Sequence, residues 1–155
     1  MIVSFRLNGQ DTTFRVMHPS SLLDVLRDEL SAPGSKSSCD QGECGSCSVI
    51  LDGELVCSCL VLASDVEGSE VTTVEGVGDP DGDLHPVQRA MHEAGGVQCG
   101  FCTPGFVVAA AELFDGEPSP TSAQIKEALA GNICRCTGYG AIVRAFERLA
   151  GREAP

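Results

Sequence analysis

Apolar and polar residues alternate with a period of two along the first part of the chain. Further on, the apolar residues return every three or four positions. Residues 2–7 alternate, Asn8-Gly9 is a hairpin turn, and residues 12–17 resume the alternation, so a β-hairpin is expected at the start. Ser21 with Asp24 has the form of a capping box. Leu22, Leu23, Leu26 and Leu30 then recur on one helical face until Pro33-Gly34 stops the helix. A second hairpin is expected from residues 48–51, the turn Asp52-Gly53 and residues 55–59, with residues 71–74 as a closing strand. This order suits a small sheet with one helix packed across it.

Residues 75–84 are rich in Gly, Pro and Asp, lack any hydrophobic period and read as a solvated connector. Their acids do not make a calcium loop. Counting from Asp79, the sixth and twelfth positions are Leu84 and Ala90, where an EF-hand loop needs Gly and Glu. Beyond them the period is helical. Pro86 opens a helix with Val87, Ala90, Met91 and Ala94 on one face, and Thr103-Pro104 opens another that is apolar nearly all round from Phe106 to Phe114. A third begins at the capping box Thr121/Gln124, and a fourth carries Ile142, Ala145, Phe146 and Leu149. Four helices with short connections predict a bundle. The expected division is 1–76, a linker at 77–84, and a helical domain at 85–155.

The 155 residues are 43% hydrophobic, which fits a globular chain, and the formal net charge is −12. That charge argues against nucleic acid and anionic membrane surfaces as partners. No stretch has the apolar length of a membrane span, and Met1 leads directly into an alternating strand, so a cytoplasmic protein is expected. Nine cysteines would ordinarily suggest a secreted disulfide framework. Their grouping argues otherwise: Cys39/44/47/59 and Cys99/102/134/136 make two sets of four with Cys57 left over, the arithmetic of two metal centres.

In the first set, spacings of four and then two residues between Cys39, Cys44 and Cys47 match the plant-type ferredoxin pattern, whose thiolates hold a [2Fe–2S] cluster. Gly42 and Gly45 allow the tight turns such a loop needs and leave amides free to donate to sulfur. Plant-type ferredoxins have the β-grasp fold that the strand order suggests. In the second set, Cys99-Gly-Phe-Cys102 precedes the apolar helix and Cys134-Arg-Cys136 precedes the last one. Two helix N-termini are therefore expected to face one site. On residue chemistry alone this set also suits tetrahedral zinc. A zinc-bearing interaction or scaffold module with a ferredoxin-like first domain is the alternative reading. Cys57 has two readings, a ligand swap with Cys59 or a small buried apolar residue. His18, His85 and His92 read as surface or packing residues. With no nucleophile–base pair and no Gly-rich phosphate loop, no substrate chemistry is expected on this chain.

Three segments together carry a more specific resemblance: Cys39-Asp-Gln-Gly-Glu-Cys-Gly-Ser-Cys-Ser-Val-Ile-Leu-Asp-Gly, Val97-Gln-Cys-Gly-Phe-Cys-Thr-Pro-Gly, and Gly131-Asn-Ile-Cys-Arg-Cys-Thr-Gly-Tyr. In that order, over roughly residues 2–149, they resemble the small iron–sulfur subunit of the molybdenum hydroxylases, the family of xanthine dehydrogenase, aldehyde oxidoreductase and carbon monoxide dehydrogenase. The resemblance implies an α+β protein in which a β-grasp domain holds one [2Fe–2S] cluster through Cys39, Cys44, Cys47 and Cys59. A four-helix domain would hold another through Cys99, Cys102, Cys134 and Cys136, with Gln98 and Cys136 touching the pterin of a neighbouring subunit. It further implies a large subunit with molybdopterin in its cytosine dinucleotide form, a medium FAD subunit, and a heterotrimer or its dimer. The chain would then be the electron-relay subunit of an oxidoreductase complex, passing electrons from molybdenum to FAD or an external acceptor.

Overall fold

Alternation along the first strand sets up the sheet. The structure, a computed structural model, describes residues 1–79 and 81–152; Pro80 of the expected linker and residues 153–155 of the expected helical domain lie outside the described residues. Strand β1 (Ile2–Leu7) buries Val3, Phe5 and Leu7 and exposes the residues between them. It pairs antiparallel with β2 (Gln10–Arg15), and Asn8 and Gly9 between them take φ values of 51° and 78°, as a two-residue hairpin turn requires. Phe5 and Phe14 meet edge to face at 5.8 Å across this pair. Strands β3 (Ser48–Leu51), β4 (Glu54–Cys57) and β5 (Glu70–Thr72) complete a sheet of order β2-β1-β5-β3-β4, in which only the β1–β5 pairing is parallel.

Helix α1 (Leu22–Asp28) lies across one face of that sheet, and its Leu22, Val25 and Leu26 pack with Val3, Phe5, Val49 and Val71. Its start is the expected capping box. Ser21 Oγ accepts from Asp24 N, and the Asp24 carboxylate accepts from Ser21 N, each at 3.2 Å. Ser21→Ala should therefore lower stability by about 1 kcal/mol. Thermal unfolding should show a Tm roughly 2–4 °C lower. The helix ends sooner than Pro33-Gly34 suggested. Ser31 turns left-handed at φ 56°, and the amides of Leu30 and Ala32 take the carbonyls of Val25 and Leu26, closing the helix before proline is reached.

Four helices form the second part: α2 (Pro86–Glu93), α3 (Thr103–Gly116), α4 (Ser122–Ala128) and α5 (Gly140–Leu149). As its composition predicts, α3 is the centre, with every residue from Gly105 to Ala111 buried. Val87 and Met91 of α2, Ile125 of α4, and Ile142 and Phe146 of α5 surround it. Each such large side chain contributes about 1.5–3 kcal/mol by leaving water. The caps of α2 and α4 both use a glutamine: Gln124 Oε1 accepts from Thr121 N at 2.8 Å and Gln88 Oε1 from His85 N at 2.9 Å. His85 thus caps a helix, its Nδ1 accepting from Val87 N at 3.4 Å.

The sheet is a wall shared by two cores. On β3, Val49 points into the α1 side and Ile50 packs against the helical core, as does Leu55 of β4. The connector is not simply solvated either. Residues Val74–Gly76 form a 3₁₀ turn, Glu75 accepts from Gly34 N at 2.6 Å, and Val77 is buried against the helices. Because β3 docks on α3, the cysteine loop that precedes β3 lies at the start of α3. No helix among the described residues is long and apolar enough to cross a membrane.

Candidate metal centres

Residues 39–47 form a loop shaped by left-handed backbone. Asp40, Gly42 and Gly45 have φ of 53°, 77° and 69°. A Cβ on Gly42 would overlap Leu60, whose exposed side chain lies over the loop. The turns aim amides inward: Glu43 N and Cys44 N each lie 3.4 Å from Cys39 Sγ. Hydrogen bonds from the backbone of Gln41, then Cys44 and Glu43, bring the Cys39 thiol down to about 7, which favours the thiolate a metal requires. Cys39 is also within hydrogen-bond reach of the Cys44 thiol.

The other half of this cage is drier. Cys47 is buried, and Cys59 hydrogen-bonds to it. Burial first, and then that neighbouring thiol, push Cys59 up to about 12. Strand β4 stops at Cys57, and Cys59 sits in the 3₁₀ turn Ser58–Leu60, so the two cysteines do not share a strand face as the alternation suggested. Cys57 nevertheless reaches the same cage. Its Sγ approaches Gly42 O at 3.7 Å and contacts Cys47, and burial followed by the Cys47 charge raises it to about 11.

The second set gathers from two loops. Cys99 and Cys136 are exposed, with sulfurs 3.6 Å apart, while Cys102 and Cys134 are buried and hydrogen-bonded to each other. Burial, then the Cys134 thiol, raises Cys102 to about 12. For Cys134 burial acts in the same direction, but hydrogen bonds from the hydroxyl and backbone of Thr137, from Cys102 and from the Cys136 backbone outweigh it and bring the thiol to about 7. Thr137 Oγ1 lies 3.2 Å from Cys134 Sγ, and Tyr139 OH accepts from Cys134 N at 3.1 Å. The expected pair of helix N-termini is only half realised. Cys102 is the N-cap of α3, but α5 starts four residues after Cys136, past a left-handed Tyr139 (φ 67°), so loop groups, not helix amides, serve Cys134. Sequence reasoning missed Thr137 and Tyr139, for which Cys134-Arg-Cys-Thr-Gly-Tyr was the available signal. Gln98 lies exposed beside Cys99.

These donors fit binuclear iron–sulfur groups. Four thiolates shared by two irons means two per iron, and the eight thiols of the two sets include four close pairs, Cys39 with Cys44, Cys47 with Cys59, Cys99 with Cys136, and Cys102 with Cys134, while Cys57 also touches Cys47. A buried hydroxyl also points the same way. Thr103 Oγ1, directly after Cys102, is buried without a hydrogen-bond partner, an arrangement that a sulfur acceptor would relieve.

Comparison with known proteins agrees. The family model of the 2Fe-2S iron-sulfur cluster binding domain matches residues 5–76, and that of the [2Fe-2S] binding domain matches residues 73–147. The chain is 43% identical over 143 residues to the small subunit of nicotine 6-hydroxylase from Paenarthrobacter nicotinovorans, covering 92% of this chain and 86% of that protein. A probable xanthine dehydrogenase subunit of Bacillus subtilis is likewise 43% identical over 143 residues, covering 92% of this chain and 82% of that one. The fold superposes on a chain of quinoline 2-oxidoreductase from Pseudomonas putida with a TM-score of 0.92 at 37% identity, covering 97% of this chain and 94% of that one. Fold, thiols and relatives define an iron–sulfur electron-transfer protein with two [2Fe–2S] domains. The chain belongs to the small iron–sulfur subunits of the xanthine dehydrogenase and aldehyde oxidoreductase family, the molybdenum hydroxylases. It is thus a component of an oxidoreductase and carries no substrate chemistry of its own.

Proposed function

We propose that Cys39, Cys44, Cys47 and Cys59 hold the first cluster and Cys99, Cys102, Cys134 and Cys136 the second. Each close thiol pair would take one iron. Cys57 is a cage-lining thiol, not a ligand. Each group, when bound, supplies a one-electron redox centre. The chain's own residues do the rest. Amides of residues 43 and 44 and the Thr137 hydroxyl donate to sulfur, and the buried sides of both cages, at Cys47, Cys102 and Cys134, keep water out.

The chain relays electrons from a molybdopterin site on a large subunit, in its cytosine dinucleotide form, to an FAD subunit or an external acceptor. The complex is a cytoplasmic heterotrimer or its dimer. The observation that carries this reading is the surface around Cys99 and Cys136. The two thiols are exposed, with exposed Gln98 beside them, and Val97, Phe101, Ile133 and Tyr139 from the same two loops are large apolar side chains 40–52% exposed. An open redox site with an apolar collar suits a partner that covers it, and on this reading Gln98 and Cys136 would meet the pterin.

Affinity purification of the tagged chain from its native host tests this. A large and a medium subunit should copurify in equal amounts, with molybdenum and FAD bound. A fully loaded chain that purifies alone, as a diffusing ferredoxin would, contradicts it.

A further inference from the structure

The two cysteine cages are joined at one seam. Asn132 is a polar residue only 4% exposed, and its Nδ2 donates to Gly45 O at 3.0 Å; the next residue, Ile133, donates its N–H to Cys44 O at 2.9 Å. Two neighbouring carbonyls between Cys44 and Cys47 are therefore held by two neighbouring residues that lead into Cys134. Among the described residues, these two bonds are the only hydrogen bonds that join the sheet part to the helices. The first is the one made by a side chain.

The fit around that carboxamide is close. A Cβ on Gly45 would overlap Gly131 O and stand 2.6 Å from Asn132 Nδ2. One on Gly105, in the first turn of α3 just after Cys102, would overlap Gly45 O and stand 2.8 Å from the same nitrogen. Real Cβ contacts do not come so near, so both glycines leave room for one amide group that touches the loops of both cysteine sets.

We propose that Asn132 is a positioning residue whose carboxamide sets the separation and orientation of the two cysteine cages, and hence the coupling between the two redox centres. The proposal rests on the reading that both cages hold clusters. Without the Nδ2 donor, Gly45 O keeps its bonds from Ser48 N at 3.1 Å and Ser48 Oγ at 2.7 Å, both within its own loop, and what is lost is the side-chain tie from the loop before Cys134 to the loop that carries Cys44 and Cys47. The Ile133–Cys44 bond and the packing of Ile50 and Leu55 on the helical core then hold the two parts together, with no side-chain hydrogen bond between the cysteine loops.

The test compares Asn132→Ala with wild type in the purified complex, fully reduced by dithionite. The dipolar splitting between the two cluster EPR signals falls with the inverse cube of their separation. In the variant this splitting should shrink or change shape, while iron content and the signal of each centre reduced alone stay as in wild type. If the alanine variant does not load, Asn132→Ser, which keeps a shorter donor, is measured in its place and should show the same change to a smaller degree. Loaded variants with unaltered splitting would overturn the role of Asn132 while leaving the two-cluster reading intact. A wild-type complex lacking either signal would overturn that reading and the role of Asn132 with it.

Discussion

Replacing Cys134 by Ser should halve the iron and acid-labile sulfide bound per chain and abolish one of the two [2Fe–2S] EPR signals. The effect is large because Cys134 is the member of the second set most prepared for the thiolate form. It is buried, it takes hydrogen bonds from Thr137, Cys102 and the Cys136 backbone, and these bring it to about 7. Serine offers a harder oxygen that stays protonated near neutral pH, and its shorter bond leaves the sulfur position empty. Cys57→Ser provides the contrast. Cys57 lines the first cage from the last position of β4, outside the Cys39, Cys44, Cys47 and Cys59 spacing, with its Sγ directed to the Gly42 carbonyl and to Cys47. Iron and sulfide should remain at the wild-type level in that variant. Iron and sulfide analysis on protein purified without oxygen checks both, and a half-loaded Cys57→Ser would move the fourth ligand of the first cage from Cys59 to Cys57.

The second large effect concerns the seam. Gly105→Ala should destabilise the protein by about 3 kcal/mol, the upper part of the usual range for overpacking a close contact. For a chain of this length that lowers Tm by roughly 10 °C. The reason is that the added carbon meets Gly45 O, a backbone atom that cannot rotate aside, together with the Asn132 amide it bonds to. Gly116→Ala, in the last turn of the same helix, meets nothing within 4 Å. It should be neutral or slightly stabilising, because alanine loses less backbone freedom on folding. Thermal unfolding of the two variants side by side separates the packing effect from the general effect of removing a glycine from α3. Equal Tm values would mean that the cages are not packed as closely as Gly105 implies.

Much of this architecture was legible in the residue pattern, for local reasons. Period-two alternation located β1, the turn Asp52-Gly53 located the β3–β4 hairpin, and the capping boxes at Ser21 and Thr121 fixed two helix starts because their partners lie three residues away. The continuous apolar run of α3 announced its central position. Local rules failed where a competing local bond won or where a distant one decided. Helix α1 stops at Asp28 because Ser31 turns left-handed, a conformation that no proline or glycine signals. His85 caps α2 although histidine is not among the usual capping residues. The cysteine spacing suggested two donor sets, but the pairing of thiols within each set, and the hold of Thr137 and Tyr139 on Cys134, depend on how the loops close. The contact of Asn132 with Gly45 spans 87 positions in sequence and follows only from β3 docking on α3.

The central claim is that one small chain holds two binuclear iron–sulfur centres for electron relay. Iron, sulfide and zinc analysis of the anaerobically purified chain, with EPR of the dithionite-reduced sample, tests it most directly. The account predicts equal iron and sulfide, enough for a cluster in each domain, no zinc, and two distinct rhombic signals. Half that iron, with one signal and an equivalent of zinc in the helical domain, would contradict it.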